Sequence, residues 1–291
     1  MSKVLVTGTS GFIARHLIRE LDKREQTVIE IDTVRGIDCR DYFRTDQDGA
    51  DIAIHCAAIT GGIEGTTGRP AYLSAVNSQS DGAFFEWALR TKPKRIVYFS
   101  SSCAYPMADP EWNGKLKESH LDLNNITTHP DNTYGWVKLI GEVMANSVRE
   151  AGIPTTIVRP FAVYGSDQEN CRMIPKFIER ALAPKDTFEV WGNGDQCSDF
   201  IHIDDTVAAI MTLIDNDIDG PVNLGTGRGV SVDHAASMVM SAAGISRPIV
   251  HNLWKPSGPR WRVADPTLLK SYYEPRITLE EGIARALKEQ G

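Results

Sequence analysis

No stretch of the 291 residues approaches the roughly 20 consecutive apolar positions that a membrane-spanning helix needs. Runs of lysine or arginine are missing as well. With 31 Lys+Arg against 38 Asp+Glu the formal charge is −7, which argues against nucleic acid as the main partner. Cysteine is sparse: Cys39, Cys56, Cys103, Cys171 and Cys197 are scattered, odd in number and form no CxxC pair. That pattern excludes a disulfide scaffold and leads us to expect free thiols in a reducing cytoplasm. The seven histidines show no HxH or HxxxH spacing and no accompanying carboxylate cluster, so no metal is expected. The opening run Met1–Gly11 has no basic segment followed by an apolar core, and no signal peptide is expected. Internal repeats and low-complexity segments are absent. What remains, at 42% hydrophobic and 24% charged residues, is the composition of an ordinary soluble globular protein.

Short β-rich runs alternate with segments of helical spacing through the first two-thirds of the chain. Lys3–Thr7, Thr27–Ile31, Asp51–Cys56, Arg95–Phe99 and Thr155–Arg159 read as strands, and 12–21, 71–91 and 133–151 as helices. This rhythm predicts βαβ units, hence an α/β fold with a doubly wound parallel sheet covered on both faces. Beyond about residue 165, turn clusters such as Trp191–Asp195, Gly225–Gly229 and Lys255–Pro259 separate shorter elements. We expect a first domain over 1–165 and a small mixed lobe over 166–291. The boundary is soft, because Asp199–Ile203 and Val222–Leu224 are candidates to extend the first sheet.

Val6-Thr-Gly8-Thr-Ser-Gly11-Phe-Ile-Ala14 follows a strand and opens a helix. Gly8 permits the tight turn, Gly11 lets a phosphate approach the backbone, and Ala14 allows close helix–strand packing. A diphosphate then sits on the helix N-terminus, where free N–H groups and the helix dipole favour negative charge. Asp32 closes the second strand, where a carboxylate binds both hydroxyls of an adenosine ribose and repels a 2′-phosphate. The expected cofactor is therefore NAD in preference to NADP, on a Rossmann-type domain.

Tyr134 and Lys138 stand one turn apart on one face of a predicted helix. A nearby ammonium stabilises a phenolate, and we expect it to bring the Tyr134 pKa from about 10 toward neutrality. Tyr134 then acts as base toward a hydroxyl or as acid toward a carbonyl. The strand Arg95–Phe99 runs into Ser100-Ser101-Ser102-Cys103, placing hydroxyls at the carboxyl end of a central strand, where open α/β sheets bind ligands.

With these residues in this order, the sequence resembles the extended short-chain dehydrogenase/reductases, specifically the NAD-dependent epimerase/dehydratase family, over nearly its whole length. Thr7–Ala14, with Gly8, Gly11, Phe12 and Ile13, resembles the glycine motif, and Ile37-Asp38-Cys39-Arg-Asp41 the adenine-contacting segment. His55-Cys-Ala57-Ala58 resembles the strand motif against the cofactor, Asn77 the helix asparagine after it, and Arg159-Pro160–Gly165 the loop meeting the nicotinamide amide. Gly192–Asp195, Asp199–Asp205, Arg262–Asp265 and Leu279–Ile283 are similar to the C-terminal signatures. The resemblance implies Ser101, Tyr134 and Lys138 as catalytic, and Ser100 with Tyr134 and Lys138 among the cofactor contacts. Ala57–Gly62, Ser101–Pro106 and Phe188–Gly194 look most like the GDP-mannose 3,5-epimerases, and the Ser-Cys-x-Tyr-Pro element is shared with GDP-fucose synthases. In both, the cysteine at the place of Cys103 shuttles a proton beside a keto group. A small buried residue beside the site is the other reading of Cys103.

Three positions depart from the pattern. The acid partner of that cysteine falls in Asn170–Pro175 and is here Arg172 or Met173, and arginine is a poor proton donor. The asparagine that grips the substrate phosphate is Ala162, and the arginine before Asp-Phe is Ser198. Arg260, Arg262, Arg172 and Ser102 remain as substrate contacts. A dehydratase is disfavoured, because Ser102-Cys103 or Cys103-Ala104 stands where that branch has Asp-Glu. Asp204 and Asp205 are expected to cap the helix 206–214. The leading expectation is an epimerase of a sugar, nucleotide-linked in the first instance, that retains NAD and works through a transient ketone. A plain dehydrogenase or reductase, a Cys103-dependent 3,5-epimerase and an NAD-sensing regulator are the alternatives. The resemblance also implies a homodimer formed through 71–91 and 133–151.

Overall fold

The computed structural model describes residues 2–45, 49–60, 62, 68–106, 113–124, 130, 132–169 and 171–290; Gly61 and Asn170, each part of a motif quoted above, lie outside them. The first strands are β1 (Lys3–Thr7), β2 (Thr27–Ile31), β3 (Ile52–His55), β4 (Arg95–Phe99) and β5 (Thr155–Pro160). Then follow β6 (Ala162–Tyr164), β7 (Phe188–Trp191), β8 (Cys197–His202), β9 (Gly220–Leu224), β10 (Gly229–Ser231), β11 (Ile249–Asn252) and β12 (Trp261–Arg262). The principal helices are α1 (Phe12–Lys23), α2 (Cys39–Tyr42), α3 (Pro70–Thr91), α4 (Thr133–Glu150), α5 (Met173–Leu182), α6 (Ile203–Asp215) and α7 (Val232–Ala242).

Six parallel strands form the main sheet in the order β2-β1-β3-β4-β5-β9. Val4-Leu5-Val6, Ile96-Val97-Tyr98 and Ile157-Val158 are buried along their length, as strands covered on both faces must be. Helix α1 offers Ala14, Leu17 and Leu21 to one face, beside Val207, Ile210 and Leu213 of α6. Helices α3 and α4 cover the other with Phe84, Trp87, Ala145 and Val148. Each such side chain withdrawn from water stabilises the fold by roughly 1.5–3 kcal/mol before entropy is counted. Residues beyond 165 thus complete this sheet: β9 takes the open edge of β5, and α6 roofs it. The other candidate, Asp199–Ile203, instead gives residues 199–202 to β8, which pairs with β6, β10 and β12 in a second sheet, and Ile203 to the start of α6. A separate core of Phe177, Ile178, Phe188, Val190 and Val239 lies in the C-terminal part.

The capping role expected of Asp204 and Asp205 is overturned. Helix α6 starts at Ile203, and Nδ1 of His202 accepts the Asp204 N–H at 3.2 Å. Asp205 is buried and accepts from the Tyr273 hydroxyl (2.6 Å) and the Arg276 and Ile277 N–H groups (3.1 and 2.8 Å). Three donors from a distant segment outweigh one local cap.

Between β5 and α4 lies a buried ion pair. Arg159 donates from Nε and Nη2 to Glu142 at 2.9 and 2.6 Å, and from Nη1 to the Tyr105 hydroxyl and the Glu118 carbonyl, both at 2.9 Å. Burial opposes the Arg159 charge, but Glu142 holds its pKa above the usual arginine value. Replacing Arg159 by Met leaves a buried carboxylate unpaired, and we expect a loss of about 3–5 kcal/mol in urea unfolding. The double variant Arg159→Met, Glu142→Leu should recover much of it; a single variant as stable as the parent would contradict this assignment.

Candidate active site

The chain leaves β1 in one direction to β2 and crosses to β3 in the other, so a crevice opens at the carboxyl ends of β1 and β3. Gly8 lies at φ +70°, and a Cβ there would come within 2.8 Å of the Ala57 Cα. Only glycine lets the two loops press together. The N–H of Gly11 closes the turn on the Gly8 carbonyl at 2.9 Å. Helix α1 then begins with no side-chain cap, and Thr9 Oγ1 is buried without a partner in the same turn. Asp32 accepts the Ser10 N–H and the Val34 N–H, each at 2.8 Å, which ties the end of β2 to the glycine turn. Phe12 sets its ring edge-on to His16 at the start of α1, and Ile13 packs on the core.

Across the crevice, the buried Asn77 clamps the Ile59 backbone, accepting its N–H at 2.7 Å and donating to its carbonyl at 3.0 Å. This holds Ala57 and Ala58 in place. Asp38 caps α2 and is paired with Arg40 at 2.5 Å, a hydrogen bond that keeps its carboxyl below the ordinary range. Cys39 turns inward, its Sγ 3.5 Å from Ser80 Oγ, and burial pushes its thiol up. Of that pair, only Asp38 offers a side chain to the rim. An uncapped helix start, a glycine cradle, an orphan buried hydroxyl and a carboxylate at the end of β2 suit a dinucleotide.

Asn132 caps α4 by accepting the Gly135 N–H at 2.8 Å. A Cβ on Gly135 would lie 3.1 Å from the Cys103 carbonyl carbon, so the helix start is pressed against the 3₁₀ turn Ser102–Ala104. That contact puts Tyr134 and Cys103 together. Lys138 is 2% exposed, with Nζ 5.9 Å from the Tyr134 ring centre and 5.0 Å from that of Tyr98. Ser101 Oγ accepts the Cys103 N–H at 3.1 Å. Ser100 turns away and donates to Glu142, Ser102 is buried, and Pro160 ends β5.

The expected lowering of the Tyr134 pKa is not found. Burial holds its phenol well above the usual tyrosine value, the Cys103 sulfur adds to this, the Arg172 guanidinium opposes it and Asp81 reinforces it. Lys138 directs its charge at Asp81 instead, whose carboxyl lies below the ordinary range despite burial because of that ammonium and of His55.

From the C-terminal part, Arg262 donates from Nη1 to Cys103 Sγ at 3.3 Å. Its register partner on β8 is Ser198, so an arginine stands beside the position where the family motif has one. Arg172 precedes α5 without capping it and donates to Thr60 Oγ1 at 3.0 Å, while Met173 packs against the second core. Arg260, an exposed residue, accepts the Cys197 N–H on its carbonyl at 2.7 Å. Sequence reasoning missed Asp81, Tyr98 and Glu142. Two of them carried a signal, an acidic residue one turn beyond Asn77 and another one turn beyond Lys138 on buried helix faces. Among the described residues, no group of three or more His, Cys, Asp or Glu side chains could hold a metal ion.

Comparison with known proteins agrees with this geometry. GDP-mannose 3,5-epimerase of Arabidopsis thaliana is 29% identical, over 97% of this chain and 80% of its own length. The dTDP-4-dehydro-6-deoxy-D-allose reductase of Streptomyces bikiniensis is 29% identical, over 96% of this chain and 94% of its own. The solved structure of MoeE5 with UDP-glucose and NAD superimposes with a TM-score of 0.83 at 28% identity, covering 99% of this chain and 98% of that one. The profile of the NAD dependent epimerase/dehydratase family matches residues 4–225, and the chain belongs to that family, as an enzyme of the extended short-chain dehydrogenase/reductase type.

Proposed function

We propose that this enzyme is an epimerase of a nucleotide-linked sugar that retains NAD and works by removal and return of one hydride. The observation behind this reading is the convergence of Tyr134, Ser101, Cys103, Arg172 and Arg262 at one end of the crevice, with the glycine cradle and Asp32 at the other. Relatives named for GDP-mannose, dTDP-sugar and UDP-glucose chemistry support the nucleotide-linked substrate. When bound, NAD supplies the acceptor and then the donor of the hydride. Tyr134 takes the proton of the substrate hydroxyl and gives it back, so protons and electrons both balance over the cycle. Ser101 accepts from Cys103 N–H and keeps its own hydrogen to donate to the oxygen that becomes a carbonyl. Asp32 accepts from ribose hydroxyls and rejects a 2′-phosphate.

One observation favours a second reading. Arg262 donates to Cys103 Sγ at 3.3 Å and so fixes the sulfur that a thiol mechanism uses to remove a carbon-bound proton. The proton must then be returned from the opposite side, and Arg172 at the partner position is unsuited to that task. Hydride return therefore remains our reading. All five cysteines are free, and we place the enzyme in the cytoplasm. We also propose a homodimer through α3 and α4, because Trp136, Ile140 and Val143 form an exposed apolar stripe of 42%, 49% and 44% accessibility on α4. Sedimentation of Trp136→Glu should then show a monomer where the parent is a dimer; a monomeric parent discards this surface.

Calorimetric titration should show NAD binding more tightly than NADP. Tyr134→Phe should bind NAD as the parent does, yet lose about 10²–10⁴ of the turnover found with a panel including GDP-mannose and UDP-glucose. Tighter NADP binding would overturn the cofactor preference, and nearly full activity in the variant would move the chemistry elsewhere.

Running the reaction in D₂O separates the two epimerase mechanisms. Hydride return leaves the product free of carbon-bound deuterium, and Cys103→Ser retains most activity. Stoichiometric deuterium that disappears in Cys103→Ser would establish the thiol mechanism instead.

A further inference from the structure

The first turns of α1, after β1, and the loop after β3 stand on opposite banks of the crevice. The segment that follows β6 touches both. At its start Gly165 is pressed against α1 and α6, where an added Cβ would lie 3.0 Å from Phe12 Cζ and 2.7 Å from Ile203 Cγ2. Two residues on, the Asp167 carboxylate meets three side chains that share one face of α1. His16 donates from Nε2 to Oδ1 at 2.9 Å, Arg15 donates from Nη2 to Oδ2 at 3.3 Å, and Arg19 Nη2 stands 3.8 Å from Oδ2. Arg15 also holds the Asp167 carbonyl at 3.1 Å. Its other arm, Nη1, donates to the Ser10 carbonyl at 2.8 Å, inside the glycine turn.

The far end of the segment is tied to the other bank. Arg172 donates to Thr60 Oγ1 at 3.0 Å, and Gly62, at φ +64°, sits so close that a Cβ there would lie 2.5 Å from the Cys171 carbonyl oxygen. Between these ends, Gln168 Nε2 donates to the Val163 carbonyl at 2.9 Å, and the Ser166 hydroxyl donates to Glu289 on the last helix, Leu279–Gln290. The crevice so bridged is the one that the glycine cradle and Asp32 suit to a dinucleotide. Asp167, Arg15, His16 and Thr60 have no part in the proton and hydride steps described above.

We propose that Gly165–Glu169 and Cys171–Arg172 form a strap over the cofactor crevice, with Asp167 as its clasp, and that the strap slows exchange of NAD, a role that rests on the reading of NAD as a retained cofactor. In a hydride-return cycle the reduced cofactor must stay until the ketone has taken its hydride back. Departure before then strands the ketone and removes two electrons from the cycle. Exposed ion pairs are individually weak, but here one carboxylate faces two guanidiniums and an imidazole. A fastening of that strength suits an element that must open for loading and then stay shut through many turnovers. Both anchorages join protein groups to one another, so they hold the strap over an empty and a loaded crevice alike. Loosening the clasp therefore speeds entry and exit together.

The test follows the cofactor and needs no substrate. The full chain is loaded with radiolabelled NAD, chased with excess unlabelled NAD, and the label still bound is measured over time; calorimetry gives the equilibrium affinity. Asp167→Asn keeps the shape and removes the charge, and should release label about three- to tenfold faster while the affinity changes less than about twofold. Asp167→Glu keeps the charge and should release within about twofold of the parent. Should Asp167→Asn fail to fold, Thr60→Val cuts the opposite anchorage and takes its place in the comparison. Release at the parental rate overturns the strap. Faster release matched by an equal loss of affinity overturns it too, because that marks a lost contact with NAD and not a looser cover. The parent's own rate tests the reading beneath: NAD that leaves it within a single turnover unseats retention, while the ratio of variant to parent still decides the strap.

Discussion

The buried pair of Arg159 and Glu142 is the constraint on which the site depends. Arg159 belongs to a central strand and Glu142 to the helix that carries Tyr134 and Lys138, so their two hydrogen bonds set the height of that helix over the sheet. The remaining Arg159 donors fasten Tyr105 and the Glu118 carbonyl, and Ser100 closes on Glu142 from β4. Removing two charges from water is costly, and a well-packed apolar pair would often be no less stable. What the ions add is direction. A bidentate fork fixes both the distance and the rotation of α4, which Leu–Leu contacts would leave loose by a good fraction of an ångström.

Above that pair the charges alternate in layers. Lys138 lies 5.9 Å from the Tyr134 ring centre and its charge acts on Asp81, and the guanidiniums of Arg172 and Arg262 act on the same phenol and thiol from the C-terminal part. Buried side chains of one sign are thus answered by the other at each level, as a low-dielectric interior demands. Positive charge is concentrated toward the substrate side, the arrangement that suits an anionic ligand.

Much of the fold was legible because its signals are local. Strand runs, the glycine turn and the one-turn spacing of Tyr134 and Lys138 can each be read within a dozen residues. The failures share a different cause. Asp205 near a helix start looks like a cap until the Tyr273–Ile277 segment, far along the chain, brings it three donors. Asp199–His202 has the alternation of a strand, but nothing within it says which sheet has an open edge. The Tyr134 pKa was expected to fall because Lys138 is near in sequence; it rises because burial and the Cys103 sulfur, from another segment, act on it in space. Pairings across long sequence separations decide such points, and one sequence does not display them.

The Asp205 contacts also bear on how the chain assembles during synthesis. Asp205 lies in the helix that roofs the first sheet, and its donors reside within the last two dozen residues. A nascent chain emerges N-terminal end first at about 5–20 residues per second, while a buried carboxylate without donors is costly. Until Tyr273–Ile277 has been made, this helix cannot seat itself without stranding that charge. The roof over the sheet is thus tied to residues 68 to 72 positions further along the chain, and seating it waits on that segment.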